Sequence, residues 1–304
     1  MFKLGFQSAI LSDYTFEQVI DFAGEGGFEC VEICCWPKGK AARRYAGITH
    51  IDLNGLDMAK MKYYLTYAAS RNVKISALGY YPNPMTSVTK DSEAAVAHLM
   101  ELITVSGKMG IGMVTTFIGR DKNKTVEDNL DLYEKVWKPI VKHAEKKKVR
   151  IAIENCPMLF TKDEWPGGNN LAAAPYIWRE MFRRIPSEYL GLNYDPSHPY
   201  LIGADYVKPI YEFKDKIFHM HFKDIKIYKD KLDEYGYFSY PKYWHAPKLP
   251  GLGDIDFAAL CSALNDIRYE GCACIEVEDR AFESCEEDIK HSILLSANYL
   301  RNFI

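Results

Sequence analysis

The feature that most constrains this chain is a regular alternation of short apolar runs of β type with longer amphipathic runs of helical period. The strand-like runs are Lys3–Gln7, Phe28–Ile33, Val73–Leu78, Met113–Ile118, Arg150–Glu154, Tyr189–Asp195, Lys216–Phe222 and Gly271–Val277. Helical patterns occupy Thr15–Gly24, Gly55–Arg71, Asp91–Met109, Thr125–Lys147, Ala174–Arg184, Asp205–Phe213, Phe257–Ile267 and Cys285–Phe303. A helix after each strand carries the chain back to the same end, so successive strands run parallel. Eight such units close into a (β/α)8 TIM barrel, and 304 residues suffice for a single barrel domain over 1–304. A doubly wound open sheet is the rival architecture, and the strand count disfavours it.

Composition removes several function classes. Hydrophobic residues make up 48% and charged residues 26%, enough for a large core under a solvated surface, and the net charge is −3. That balance offers no electrostatic footprint for nucleic acid or an anionic membrane. The basic run Lys142–Arg150 (KHAEKKKVR) falls at the end of a predicted helix, where cations complement the helix dipole. The opening MFKLGFQSAI lacks the apolar core of a signal peptide, and no apolar run is long enough to span a bilayer. The eight cysteines form no CxxC pair and sit mostly in strand-like runs, which reads as free buried thiols in a reducing compartment. The expectation is a cytoplasmic protein.

Four strand-like runs end on a potential metal ligand: IAIEN (Glu154), GLNYDPSH (Asp195), FHMHFKD (His221) and ACIEVED (Glu276). They belong to the last four strands, whose C-terminal ends converge in a closed barrel. Two glutamates, an aspartate and one imidazole form an oxygen-rich set suited to one divalent ion, Mn2+ before Mg2+ or Co2+, with Zn2+ also compatible. His219 and His221 share strand parity; His221 lies nearer the mouth and is taken as the ligand, His219 as an inward layer residue. His198, three residues past Asp195, is placed to contact substrate. Long segments follow four strands (Cys34–Asn54, Gly79–Lys90, Asn155–Ala173, Lys223–Asp254) and gather at the same face.

Glu154, Asp195-x-x-His198, His219-x-His221 and Glu276, with the late PGLGDIDF segment (Pro250–Phe257), resemble the xylose isomerase-like barrels, in particular their sugar phosphate isomerase/epimerase branch. The resemblance covers nearly the whole chain. It implies that Glu154 and Glu276 both bind the metal and serve as the acid/base pair, and that His198 contacts substrate. The chemistry implied is proton abstraction beside a metal-bound carbonyl, through an enediolate, on a sugar or polyol derivative. One departure stands out: where ketose epimerases of this branch place a further glutamate after the first ligand, this chain has Phe160 in the stretch NCPMLFTKDEWPGGNN.

Around this set, Glu32 and Lys223 are candidate substrate contacts, Lys223 as an anion-binding cation. Tyr80 and Trp165 are candidate pocket walls. The leading expectation is a metal-dependent isomerase or epimerase. A lyase or dehydratase acting on a keto-sugar or keto-polyol begins with the same C–H abstraction and stands second. An apurinic-site endonuclease of the same superfamily needs extra histidines on earlier strands, whereas SALGYY and TTFIGR carry none. A metal-free barrel acting as a partner subunit is the remaining alternative. The expected partner is a small-molecule substrate, with no nucleic acid and no membrane; a homo-oligomer is compatible with the surface of the long loops.

Overall fold

The protein is described by a computed structural model covering residues 2–39, 45–159, 168–238 and 241–304. Eight parallel strands form a closed barrel: β1 (Lys3–Gln7), β2 (Cys30–Cys34), β3 (Lys74–Gly79), β4 (Met113–Thr116), β5 (Arg150–Glu154), β6 (Leu190–Tyr194), β7 (Ile217–Phe222) and, after an excursion, β10 (Cys272–Ile275). β10 pairs with both β7 and β1, which closes the ring. All eight expected strands are present, each with its ends within two residues.

The helices α1 (Phe16–Glu25), α2 (Met58–Ser70), α3 (Thr89–Met109), α4 (Val126–Lys147) and α5 (Pro175–Arg184) lie between consecutive strands, and α9 (Phe257–Asp266) and α10 (Glu286–Leu300) flank β10 in the chain. Their boundaries follow capping chemistry. Thr15 and Gln18 make a reciprocal capping box at the start of α1, and Asp57 accepts from Lys60 N to start α2, later than the apolar pattern alone suggests. α4 ends at Lys148 in a left-handed conformation with Lys146 and Lys147 in its last turn, so the basic run is a helix end. Trp137, Trp178, Tyr133 and Tyr194 are fully buried in the core.

The structure departs from expectation in the segment 223–254. Instead of an irregular loop it holds an antiparallel hairpin, β8 (Asp224–Ile227) with β9 (His245–Lys248), and a short helix α8 (Lys229–Tyr235) between them. Asp224 organises it: Oδ1 accepts from Ile225 N and Ile255 N, and Oδ2 accepts from Gly251 N and Gly253 N. A Cβ on Gly253 would lie 2.2 Å from Asp224 Oδ1, so this close approach requires glycine. Short helices α6 (Ser197–Leu201) and α7 (Lys208–Glu212) follow β6. Among the described residues, no helix is long and apolar enough to cross a membrane.

Candidate metal centre

The ends of β5, β6, β7 and β10 are consecutive around the barrel wall. Glu154 is the last residue of β5, Asp195 follows β6, His221 is next to last in β7, and Glu276 follows β10. Strand alternation aims all four side chains inward. One ligand atom from each lies within 4.8 Å of every other, and Glu154, Asp195 and His221 are buried. The ring nitrogen His221 Nδ1 is 3.8 Å from Glu154 Oε2 and 3.6 Å from Glu276 Oε2.

Two polar atoms in this cluster are buried and make no hydrogen bond: His221 Nδ1 and Asp195 Oδ2. Such orphaned atoms are costly unless something pairs with them. The opposite ring nitrogen, His221 Nε2, is committed to Glu32 Oε2 at 2.7 Å. With Nε2 committed to a carboxylate, Nδ1 faces the cluster, where an ion would take the place of its proton, the arrangement that metal-ligating histidines adopt. A divalent ion bound by Glu154, Asp195, His221 and Glu276 would engage His221 Nδ1 and supplement the ion pairs that Lys223 Nζ and His198 Nε2 make with Asp195 Oδ2 at 3.3 Å, so the residues fit the expected group.

Without an ion, burial would depress His221, but Glu32 and Glu276 prevail and raise it well above an ordinary imidazole. Burial opposes ionisation of Glu276, but Lys223 and His221 outweigh it and hold this carboxyl well below the usual range. Glu154 is likewise lowered: burial and the neighbouring Glu276 push upward, and His198 and His221 prevail. Burial would also depress His198, yet Cys156 and Asp195 raise it well above an ordinary imidazole.

The other expected residues are placed unevenly. His198, on α6, reaches the cluster, with Nε2 3.3 Å from both Glu154 Oε1 and Asp195 Oδ2. Lys223 is buried with Nζ 2.6 Å from Glu276 Oε2, 3.2 Å from Glu278 and 3.3 Å from Asp195 Oδ2, an ammonium already surrounded by carboxylates. Glu32, expected as a substrate contact, is fully buried. It accepts from His221, from Thr115 Oγ1 at 2.7 Å and from the Tyr81 hydroxyl, so both its oxygens are engaged by protein. A Cβ on Gly79 would sit 2.6 Å from Glu32 Oε1, so glycine makes room for this carboxylate. The Tyr80 ring packs against Trp36 and His98, and the neighbouring Tyr81 hydroxyl donates to Glu32. Trp165 lies outside the described residues. His219 is an inward layer residue below the cluster, with Nδ1 2.9 Å from Asn193 Oδ1 and Nε2 3.0 Å from Ser76 Oγ.

Sequence reasoning missed Asn193, Asn155, Asn170 and Cys156. Asn193 was within reach, because it shares parity with Asp195 on the same strand; it donates to the Tyr81 hydroxyl at 3.2 Å. Asn155 clamps Asp195 with two backbone bonds, donating to its carbonyl and accepting from its N–H. Asn170 donates to the carbonyls of Glu154 and Cys156. These contacts join residues distant along the chain and left no local signal.

Comparison with known proteins agrees with the fold. Residues 20–301 match the family model described as xylose isomerase-like TIM barrel. Among curated proteins, the chain is 24% identical over 238 residues to the uncharacterised protein YfiH of Bacillus subtilis, covering 74% of each chain. It is 27% identical over 140 residues to inosose dehydratase of Salmonella agona, covering 44% of this chain and only 46% of that enzyme. Among solved structures, D-psicose 3-epimerase from Clostridium cellulolyticum H10 superposes with a TM-score of 0.69 at 13% identity, covering 99% of both chains. The IOLI protein with a bound zinc atom gives a TM-score of 0.71 at 16% identity, covering 100% of this chain and 99% of that one. At such identities the structural likeness shows the fold, whereas the family model spans nearly the whole chain: the protein belongs to the xylose isomerase-like TIM barrel family.

Proposed function

We propose that this protein is a divalent-metal-dependent isomerase or epimerase of a sugar or sugar derivative, with residues 1–304 acting as one catalytic domain. The observation that carries this reading is the convergence of Glu154, Asp195, His221 and Glu276 around two buried atoms that make no hydrogen bond. Bound there, a divalent ion, Mn2+ first among the candidates, supplies Lewis-acid stabilisation for negative charge developing on adjacent substrate oxygens.

The chain's own residues do the rest. Glu154 and Glu276 stand on β5 and at the end of β10, the two ends of a four-strand arc of the wall, so they approach a bound substrate from separated directions. Both are held ionised near neutral pH, which makes either competent to take a proton from carbon next to a carbonyl. His198, 3.3 Å from Glu154 Oε1, keeps a proton beside that carboxylate and can return it, and is also placed to hydrogen-bond a substrate hydroxyl. Glu32 acts through His221 by fixing its tautomer and orientation. Lys223 is assigned to orienting Glu276, because the carboxylates around it leave no reason to invoke a phosphate anchor.

The second reading is a dehydratase acting on a keto-sugar or keto-polyol, favoured by the inosose dehydratase match, which spans less than half of that enzyme. The deciding experiment incubates the Mn2+-loaded protein with keto-sugars and keto-inositols in D2O and follows them by NMR. Deuterium entering next to the carbonyl with every hydroxyl retained supports the isomerase. Loss of water supports the dehydratase, and neither exchange nor elimination with any of them sinks both.

A further inference from the structure

A second cluster of ligand atoms adjoins the first. Glu154, Cys156 and His198 each present one donor, all within 4.8 Å of one another. The two oxygens of Glu154 face different neighbours: Oε2 lies 3.8 Å from His221 Nδ1, and Oε1 lies 3.3 Å from His198 Nε2. A carboxylate split in this way is shaped to serve two cations. Asp195 Oδ2, buried and without a hydrogen bond, stands 3.3 Å from the same His198 Nε2 and adds negative charge to this side. Cys156 is held in place, since Met158 N donates to its Sγ at 3.3 Å and Asn170 Nδ2 bonds its carbonyl at 2.7 Å and that of Glu154 at 2.9 Å.

The donor chemistry differs from that of the first cluster. One thiol, one imidazole and one carboxylate make a soft N/O/S set, preferred by Zn2+ and other thiophilic ions and poor for Mg2+ or Mn2+. Donors bonded to a tetrahedral ion at about 2.0–2.3 Å sit roughly 3.3–3.8 Å apart, so small side-chain adjustments suffice here. Three protein donors leave a coordination position open.

We propose that Glu154, Cys156 and His198 form a second, thiophilic cation site that shares Glu154 with the first. Ligation releases two protons to solvent, one from the Cys156 thiol and one from His198 Nε2, in exchange for a sulfur–metal and a nitrogen–metal bond. An ion held there occupies the imidazole that the substrate needs, so the site is inhibitory and fills only when thiophilic ions are abundant. The sharing of Glu154 and the inhibitory effect rest on the function proposed above; the thiol site itself does not.

Cobalt(II) separates the two sites by colour. Chelator-treated protein is titrated with Co2+, following the visible ligand-field bands that any bound Co2+ shows and the near-ultraviolet charge-transfer band that only a thiolate ligand produces. Expected are two bound equivalents in the unchanged protein with a charge-transfer band. Cys156→Ser should bind one equivalent with visible bands and no charge-transfer band. His198→Gln should need at least tenfold more Co2+ to develop that band, and Cys285→Ser, at the exposed thiol, should leave it unchanged. No charge-transfer band in the unchanged protein, or one surviving in Cys156→Ser, overturns the proposal. Loss of all bound cobalt in Cys156→Ser would instead count against the first cluster, so the two failures are distinguishable.

Discussion

Glu32 and Lys223 act on the proposed site through other residues, Glu32 through His221 and Lys223 through Glu276. Glu32 is buried, charged and hydrogen-bonded to His221 Nε2, so it orients the ring that presents Nδ1 to the cluster. Glu32→Gln is expected to weaken divalent-ion binding about 10–100-fold, the usual consequence of losing such an orienting partner, measured by isothermal titration. The same variant should reshape acid stability. Burial raises the Glu32 pKa, but His221 and His219 outweigh it, so the folded value lies below the unfolded one. Its contribution is therefore present above the unfolded carboxylate value and is lost as pH falls through the folded value. Denaturation of the metal-free protein from about pH 6 to about pH 3 should show a steeper loss in the unchanged chain than in Glu32→Gln. Glu276→Gln is expected to cost about 10²–10⁴ in turnover while the protein stays folded; full activity would remove Glu276 from the acid/base role.

At the scale of elements, the hairpin β8–β9 and the Pro250–Phe257 segment depend on one carboxylate. Asp224 accepts four backbone N–H groups, two on each oxygen. Asp224→Asn replaces one oxygen by a donor and strands two of those groups, at about 1–3 kcal/mol each. Denaturant unfolding should register that loss, and hydrogen exchange should locate the faster opening in residues 224–255. Exchange spread evenly over the barrel would show that Asp224 does not organise this element. The consequence reaches the site, because Lys223 immediately precedes Asp224 and His221 lies three residues before it in the chain.

For the whole molecule, an ion held as proposed would tie four acidic or imidazole side chains from four strands, half of the barrel wall, to one point. An ion that binds only the folded chain adds roughly 2.7 kcal/mol of stability at a hundred times its dissociation constant. Mn2+ or Co2+ should therefore raise the melting temperature of chelator-treated protein, and Asp195→Asn should abolish the rise. An unchanged melting temperature with saturating ions would argue against the shared site. The barrel itself was legible in the residues, because strand and helix periods are local and their alternation admits few topologies. Glu154, Asp195, His221 and Glu276 were legible as strand-terminal ligands for a related reason: parity and position along a strand set which way a side chain points and how near the mouth it lies. What the strands could not reveal is who meets whom across the ring. The burial of Glu32 behind His221, the contact of Tyr81 with Glu32, the enclosure of Lys223 by three carboxylates and the approach of Cys156 to His198 depend on barrel curvature and on loops that return from distant strands. Local pattern determined the frame and singled out the four candidate side chains; only the closed tertiary structure decided their partners, since those contacts join residues that nothing in the linear chain brings together.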